Sequence, residues 1–183
     1  MRSITKALLA GTAAAVMTAG TGLTGAQAAA VCPTGWGSTA RGGPAMSSGT
    51  VQDVRGGRHA CFDRLVVDVR GKVGRAYDVR YVRAVHADGS GQRVPLRGGA
   101  FLQVVVRAPA YDQQGRATYR PANRRELVAV GGFRTLRQVA WAGTFEGQTT
   151  VGVGVRARLP FRVTVLDGPG THSRVVLDVA HRW

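Results

Sequence analysis

Two heptads decide how this chain reads: DRLVVDV at Asp63–Val69 and SRVVLDV at Ser173–Val179. Alternate positions are apolar in each, Leu65, Val67 and Val69 in the first and Val175, Leu177 and Val179 in the second. A period of two over a β-branched run marks a strand with one face against a core. An arginine and an aspartate share the opposite face four residues apart, about 13 Å along a strand and too far to pair with each other. Antiparallel neighbours in register would set Arg64 opposite Asp178 and Asp68 opposite Arg174. Each such pair would add on the order of a few tenths of a kcal/mol. Two unrelated strands also converge on such a heptad, because β-branched residues suit any pleated, half-buried surface.

Similar runs recur outward from these two. Strands are expected at 62–70, 77–86, 101–107, 134–145, 149–159, 161–166 and 173–182. Between them stand turn signals at Asp88-Gly89-Ser90-Gly91, Arg97-Gly98-Gly99 and Asp167-Gly168-Pro169-Gly170. Glycine supplies positive φ there and proline fixes φ near −65°. Residues 109–125 read as a long surface loop with Pro109, Asp112, Gly115 and Pro121, and a short helix around Asn123–Val128 is compatible with the pattern. Leu136–Gly143 fits a helical stripe as well as a strand face; the strand run that follows it and the tight glycine turn between them favour the strand. Short strands at this spacing predict an all-β fold, a single β-sandwich of about seven to nine mostly antiparallel strands.

Residues 149–159 alternate cleanly, with Val151, Val153, Val155, Ala157 and Leu159 on one face. If Glu146-Gly147 is a two-residue turn, residue 145 pairs with 148 and Trp141 falls opposite Gly152. Trp141 then shares a face with Arg137, Phe145, Gly152, Arg156 and Arg158, an aromatic over a bare strand edged by arginines, suited to a sugar with acidic substituents. Packing explains the same pattern, since a ring that covers glycine also protects a sheet. A three-residue turn would shift the register by one and change the face that Trp141 opposes.

The N-terminal stretch reads as a leader rather than as part of the fold. Arg2 and Lys6 precede an alanine-rich apolar run, Leu8–Met17, and Ala26-Gln27-Ala28 is a small-x-small cleavage site. The expected organisation is a signal peptide at 1–28, an irregular Gly/Ser-rich lead-in at 29–57 and the β-domain at 58–183. Val31 precedes Cys32 where a lipoprotein signal wants a small residue, so no lipid anchor is expected. No stretch is long and apolar enough for a transmembrane span. Cys32 and Cys61 are the only cysteines. In an oxidising compartment an even count favours a bridge. It would close a loop of roughly 30 residues, worth about 3–4 kcal/mol in the chain-entropy account.

The formal charge is +15, carried almost wholly by arginine, since Lys6 and Lys72 are the only lysines. A GC-rich codon bias and a polyanionic partner both account for that excess. The arginines are spread from Arg41 to Arg182 instead of clustering, which argues against a nucleic-acid face. His59, His86, His172 and His181 form no H-x-x-x-H arrangement, so neither a metal nor another cofactor is expected. His172-Ser173 beside Asp167 suggests a triad, but no nucleophile elbow accompanies it. Asp68 and Asp178, a candidate carboxylate pair for glycoside hydrolysis, each share a heptad with an arginine, which favours ion pairing. No enzyme is expected.

The segments CFDRLVVDVRG, GGAFLQVVVRAPAYD, GGFRTLRQVAWAGTFEGQTTVGVGVRARLPF and PFRVTVLDGPGTHSRVVLDVAHRW together resemble the AMIN-like domain of exported bacterial proteins, over roughly residues 58–183. AMIN domains proper are small β-sandwiches that bind peptidoglycan and target amidases and secretion proteins to the envelope. The resemblance implies a secreted or wall-associated, non-catalytic module whose partner is peptidoglycan or an associated anionic cell-wall polymer. No amidase segment accompanies it, and residues 87–134 exceed what a short AMIN domain accommodates. The other reading is a secreted inhibitor or protein-binding β-domain that presents the 109–125 loop. The sequence names no oligomeric state. Intact-mass analysis of the exported protein should find a chain beginning at Ala29 that takes up alkylating reagent only after reduction. Two thiols alkylated before reduction would contradict the bridge.

Overall fold

The computed structural model describes Cys32 and residues 35–183; the leader expected at 1–28 lies outside the described residues. Eleven strands and no helix are present among them. In order they are β1 Arg41–Gly42, β2 Thr50–Arg58, β3 Phe62–Arg70, β4 Tyr77–Val82, β5 Val85–His86, β6 Arg93–Val94, β7 Ala100–Val106, β8 Leu136–Phe145, β9 Gln148–Val155, β10 Phe161–Asp167 and β11 His172–Ala180. One antiparallel sheet has the order β1-β4-β7-β9-β8, a second has β10-β11-β3-β2, and β5 and β6 form a separate ladder. The two larger sheets make the expected all-β sandwich. Its interior is filled by valine and leucine from both inner faces, with Leu65, Val67, Leu177 and Val179 meeting Leu102, Val104, Val153 and Val155 in one buried cluster.

The two heptads become the centre of the four-stranded sheet. β3 and β11 pair with Arg64 opposite Asp178 and Asp68 opposite Arg174. Only the first of these facing pairs is an ion pair. Arg64 donates to both oxygens of Asp178, at 2.6 and 2.9 Å, and Arg162 of β10 adds a third contact at 2.9 Å. Asp68 instead accepts two hydrogen bonds from Arg55 of β2, at 2.6 and 3.2 Å. The arginines also cover rings on this outer face, Arg64 over Phe62 at 5.2 Å and Arg162 over Trp36 at 4.5 Å. Cys32 and Cys61 form a disulfide that anchors the described lead-in beside Phe62, at the start of β3.

Three sequence readings are corrected. The lead-in at 29–57 is not irregular throughout: residues 50–58 form β2, and Arg41–Gly42 pair with β4. A bulge between Val51 and Asp53 hides the strand, because Val51 and Val54 both face the core although they stand three positions apart. Gly56 adds to the disguise; a Cβ there would lie 2.7 Å from Val128, so the glycine admits the segment that crosses it. The run expected at 77–86 breaks after Val82, and its end becomes the β5–β6 ladder. Residues 123–128 form turns, not a helix.

Asp63 joins the two sheets. It is 1% exposed. One of its oxygens accepts the backbone N–H of Thr135 at 2.5 Å and of Leu136 at 3.0 Å, where β8 begins. The other lies 3.1 Å from His181 Nε2, just beyond β11. Asp63→Ala strands two buried donors and should lower stability by about 2–4 kcal/mol. Arg55→Ala opens a pair whose arginine is half-exposed and should cost less than about 1 kcal/mol. Urea denaturation of the two variants checks this ordering, and equal losses would contradict it.

Candidate functional site

The β8–β9 hairpin turns through Glu146 and Gly147, at φ of 48° and 80°, and Phe145 pairs with Gln148. Up to this point the two-residue turn behaves as the sequence predicts. A bulge between Trp141 and Gly143 then moves the register, so Trp141 opposes Val151 and Ala140 opposes Gly152. The expected placement of Trp141 over Gly152 is therefore corrected. The cause lies in the 87–91 turn. Asp88 N–H donates to Ala142 O at 2.7 Å, and Gly143, at φ 117°, has Asp88 so close that a Cβ would sit 3.3 Å from its nitrogen. The extra residue lets β8 receive that turn.

The six residues predicted as a platform do not converge. Gly152 carries no ligand-facing surface: a Cβ there would meet Leu96 at 3.0 Å and Val85 at 3.2 Å. Its bareness admits the 85–97 segment. Arg137 donates to the carbonyls of Phe133, Leu136 and Arg134. Arg156 and Arg158 lie past the end of β9. The first donates to the His181 carbonyl; the second bonds Ser38 and lies 4.8 Å over the Tyr81 ring. Phe145 is 48% exposed and rests against Gly89 at the hairpin tip. Of the six, Trp141 lines the larger of two separate cavities and Arg158 the smaller, beside Tyr81.

The Trp141 cavity is an open groove of about 740 Å³ along β8, the edge strand of the five-stranded sheet. One wall comes from the 87–92 turn and the other from the 110–124 loop. The loop is folded onto the sandwich. Asp112 accepts the N–H groups of Gln114 and Arg116 and the Nε of Arg116, while Thr118 Oγ1 donates to Val51 O at 2.7 Å. Tyr119 then meets Trp141 at 5.5 Å between ring centroids, tilted 55°. Tyr111 accepts the Gly147 N–H through its hydroxyl. The continuing chain closes part of the β8 edge, with Trp141 N–H donating to Arg124 O at 2.7 Å and Leu127 N–H to Val139 O at 2.8 Å.

The groove thus holds three aromatic side chains, Tyr111, Tyr119 and Trp141, beside Arg120, Arg124 and Asp88. Burial, followed by the Asp53 charge, holds the Tyr119 phenol above its usual range, so it remains a neutral hydroxyl. Burial also pushes the Asp88 carboxyl up, outweighing the opposing effect of the polar Thr150 and Gln148 side chains nearby. Sequence reasoning missed every one of these residues except Trp141. The available signal was Tyr119-Arg120-Pro121, an aromatic and a cation held beside a rigid residue inside a long loop.

The chemistry considered from sequence has a different geometry. Ser173 is fully buried and its hydroxyl bonds Asp167 Oδ1 at 3.0 Å instead of an imidazole. Asp68 and Asp178 are both engaged by arginine. No cluster of three or more His, Cys, Asp or Glu side chains able to hold a metal occurs among the described residues. No helix among them is long and apolar enough to cross a membrane.

No curated protein matches the chain. A family model described as the AMIN-like domain matches residues 49–181, beginning where β2 begins and ending just after β11. The chain therefore belongs to the AMIN-like domain family.

Proposed function

We propose that this protein is an exported, non-catalytic module that binds the bacterial cell envelope, peptidoglycan or an associated anionic polymer, by seating a sugar ring in the β8 groove. The observation that carries this reading is the half-buried Trp141 ring, set beside Tyr119 in an open trough with hydrogen-bonding groups at its margins. An aromatic face presents apolar area at low entropic cost, and a few placed polar groups fix orientation. Family membership supports the envelope as the source of the sugar. The Cys32–Cys61 bridge supports export, because such bridges persist in oxidising compartments.

The inhibitor reading needs a loop that stands free to enter a cleft. Residues 109–125 are instead bonded to β2 through Thr118 and packed on β8 through Tyr119, so they suit the wall of a groove better than a probe.

Two outcomes are expected. The protein should be retained on purified cell wall after its anionic polymers are stripped, and retention should persist in high salt, where long-range attraction between charges is screened. Trp141→Ala should weaken that retention about tenfold, equivalent to about 1.4 kcal/mol, with partial rescue by Trp141→Phe. No retention on stripped or intact wall at any salt would overturn the reading. The second outcome concerns Asp88. Its raised folded value means the native state holds the proton more tightly than the unfolded chain. Stability from this group is therefore full below the ordinary carboxylate range and is lost as pH rises through the raised value. Asp88→Asn should flatten that part of the stability profile and leave the protein no less stable at pH 7, measured by thermal melts across pH 3–8.

A further inference from the structure

We propose that the β8 groove selects a sugar ring bearing an oxyanion substituent, with the ring on Trp141 and the oxyanion on the guanidinium groups of Arg120 and Arg124. The proposal rests on the glycan reading above and adds the chemical class of the ligand.

The argument is one of local charge. Six of the ten acids pair with arginine or lysine: Asp68, Asp78, Asp112, Glu126, Asp167 and Asp178. The same holds close to the groove, where Arg116 is held by Asp112 and Arg97 by Glu126. Arg120 and Arg124 are among the arginines that these acids leave over. Both are exposed, both line the groove, and neither side chain has an ion-pair or hydrogen-bond partner among the described residues. The one acid lining the groove is Asp88, whose carboxyl burial favours the neutral form. The groove is therefore a place where this basic chain keeps positive charge unspent.

The two cations are also placed by the elements that place the rings. Arg120 follows Tyr119 directly, and Pro121 stiffens the chain after it. Arg124 is fixed through its carbonyl to the Trp141 N–H. A guanidinium presents a planar fork that matches the oxygens of a carboxylate or a phosphate and holds its charge at every physiological pH. A neutral sugar would use the rings alone. A ring with an anionic arm uses the rings and the forks together, while the uncompensated charge turns away cationic ligands that aromatic faces would otherwise attract. Carboxylate and phosphate share this chemistry, and the choice between them belongs to the test.

Calorimetric titration of the full exported chain uses four probes. They are chitotriose as the neutral sugar, an N-acetylhexosamine disaccharide with a free lactyl carboxylate, the carboxamide of that disaccharide, and a glycerol-phosphate oligomer. The carboxylate or the phosphate probe should bind at least tenfold more tightly than chitotriose and the carboxamide. Arg120→Ala and Arg124→Ala should each remove at least fivefold of that preference while leaving the urea midpoint unchanged. Whichever anionic probe shows the arginine-dependent gain identifies the source of the oxyanion. Equal binding of carboxylate, carboxamide and neutral sugar, all weakened by Trp141→Ala, would overturn this proposal and leave the glycan reading standing. An anionic preference that survives both arginine substitutions would also overturn it. Failure of every probe to bind would remove both.

Discussion

The carboxylate of Asp63 is the constraint from which the rest of the arrangement follows. Two sheets packed through valine and leucine have no intrinsic reason to stop sliding, because apolar contact is non-directional. Asp63 supplies direction. Sitting at the start of β3, it receives the N–H groups of Thr135 and Leu136, where β8 begins, and faces His181 just beyond β11. One residue of the four-stranded sheet thus sets where the edge strand of the other sheet begins. From that origin the β8–β9 hairpin runs to its turn at Glu146-Gly147, and the bulge at Ala142 lies at a fixed distance along it. Trp141 owes its place at the groove to this sequence of constraints.

Much of the sandwich was legible because its strands follow the two-residue period. The register of β3 against β11 could be read from charge placement alone, with Arg64 facing Asp178 and Asp68 facing Arg174. The partner of Asp68 could not, because β2 lies on its other side and Arg55 reaches it first. β2 itself was illegible for a physical reason. Its bulge turns the apolar spacing from two to three, and Gly56 makes room for Val128, a contact that only the folded chain reveals.

The groove was less legible than the fold. The turn of the β8–β9 hairpin announces itself through Glu146-Gly147, but the bulge has no comparable signature; Ala142-Gly143 resembles any small pair in a strand. One extra residue was enough to move Trp141 from Gly152 to Val151. The alternating glycines of β9 have a similar explanation. Gly152 and Gly154 look like a surface bared for a ligand, yet a Cβ on Gly154 would lie 1.9 Å from the Arg97 carbonyl oxygen. The glycines let another stretch of the same chain approach. A glycine in a strand records close approach without naming what approaches, and here the answer came from residues more than fifty positions earlier.

Net charge misleads in the same way when read as a single number. A formal +15 suggests a surface basic throughout, but the outer face of the four-stranded sheet spends its arginines internally. Arg64 and Arg162 converge on one buried carboxylate while lying over Phe62 and Trp36, and Arg55 closes on Asp68. Such side chains contribute packing and register, and drawing them to an outside anion would break pairs already made. Unpaired cations behave differently, since a ligand reaches them without displacing an internal partner. The distinction also separates two kinds of attraction to a polyanion. Diffuse surface charge acts over a Debye length and fades with salt, whereas a guanidinium held beside an aromatic trough acts at contact and persists where screening has removed the rest. In a protein this basic, unpaired arginines at a contact surface would bear on which polyanion is held, while total charge bears on how quickly any polyanion is approached.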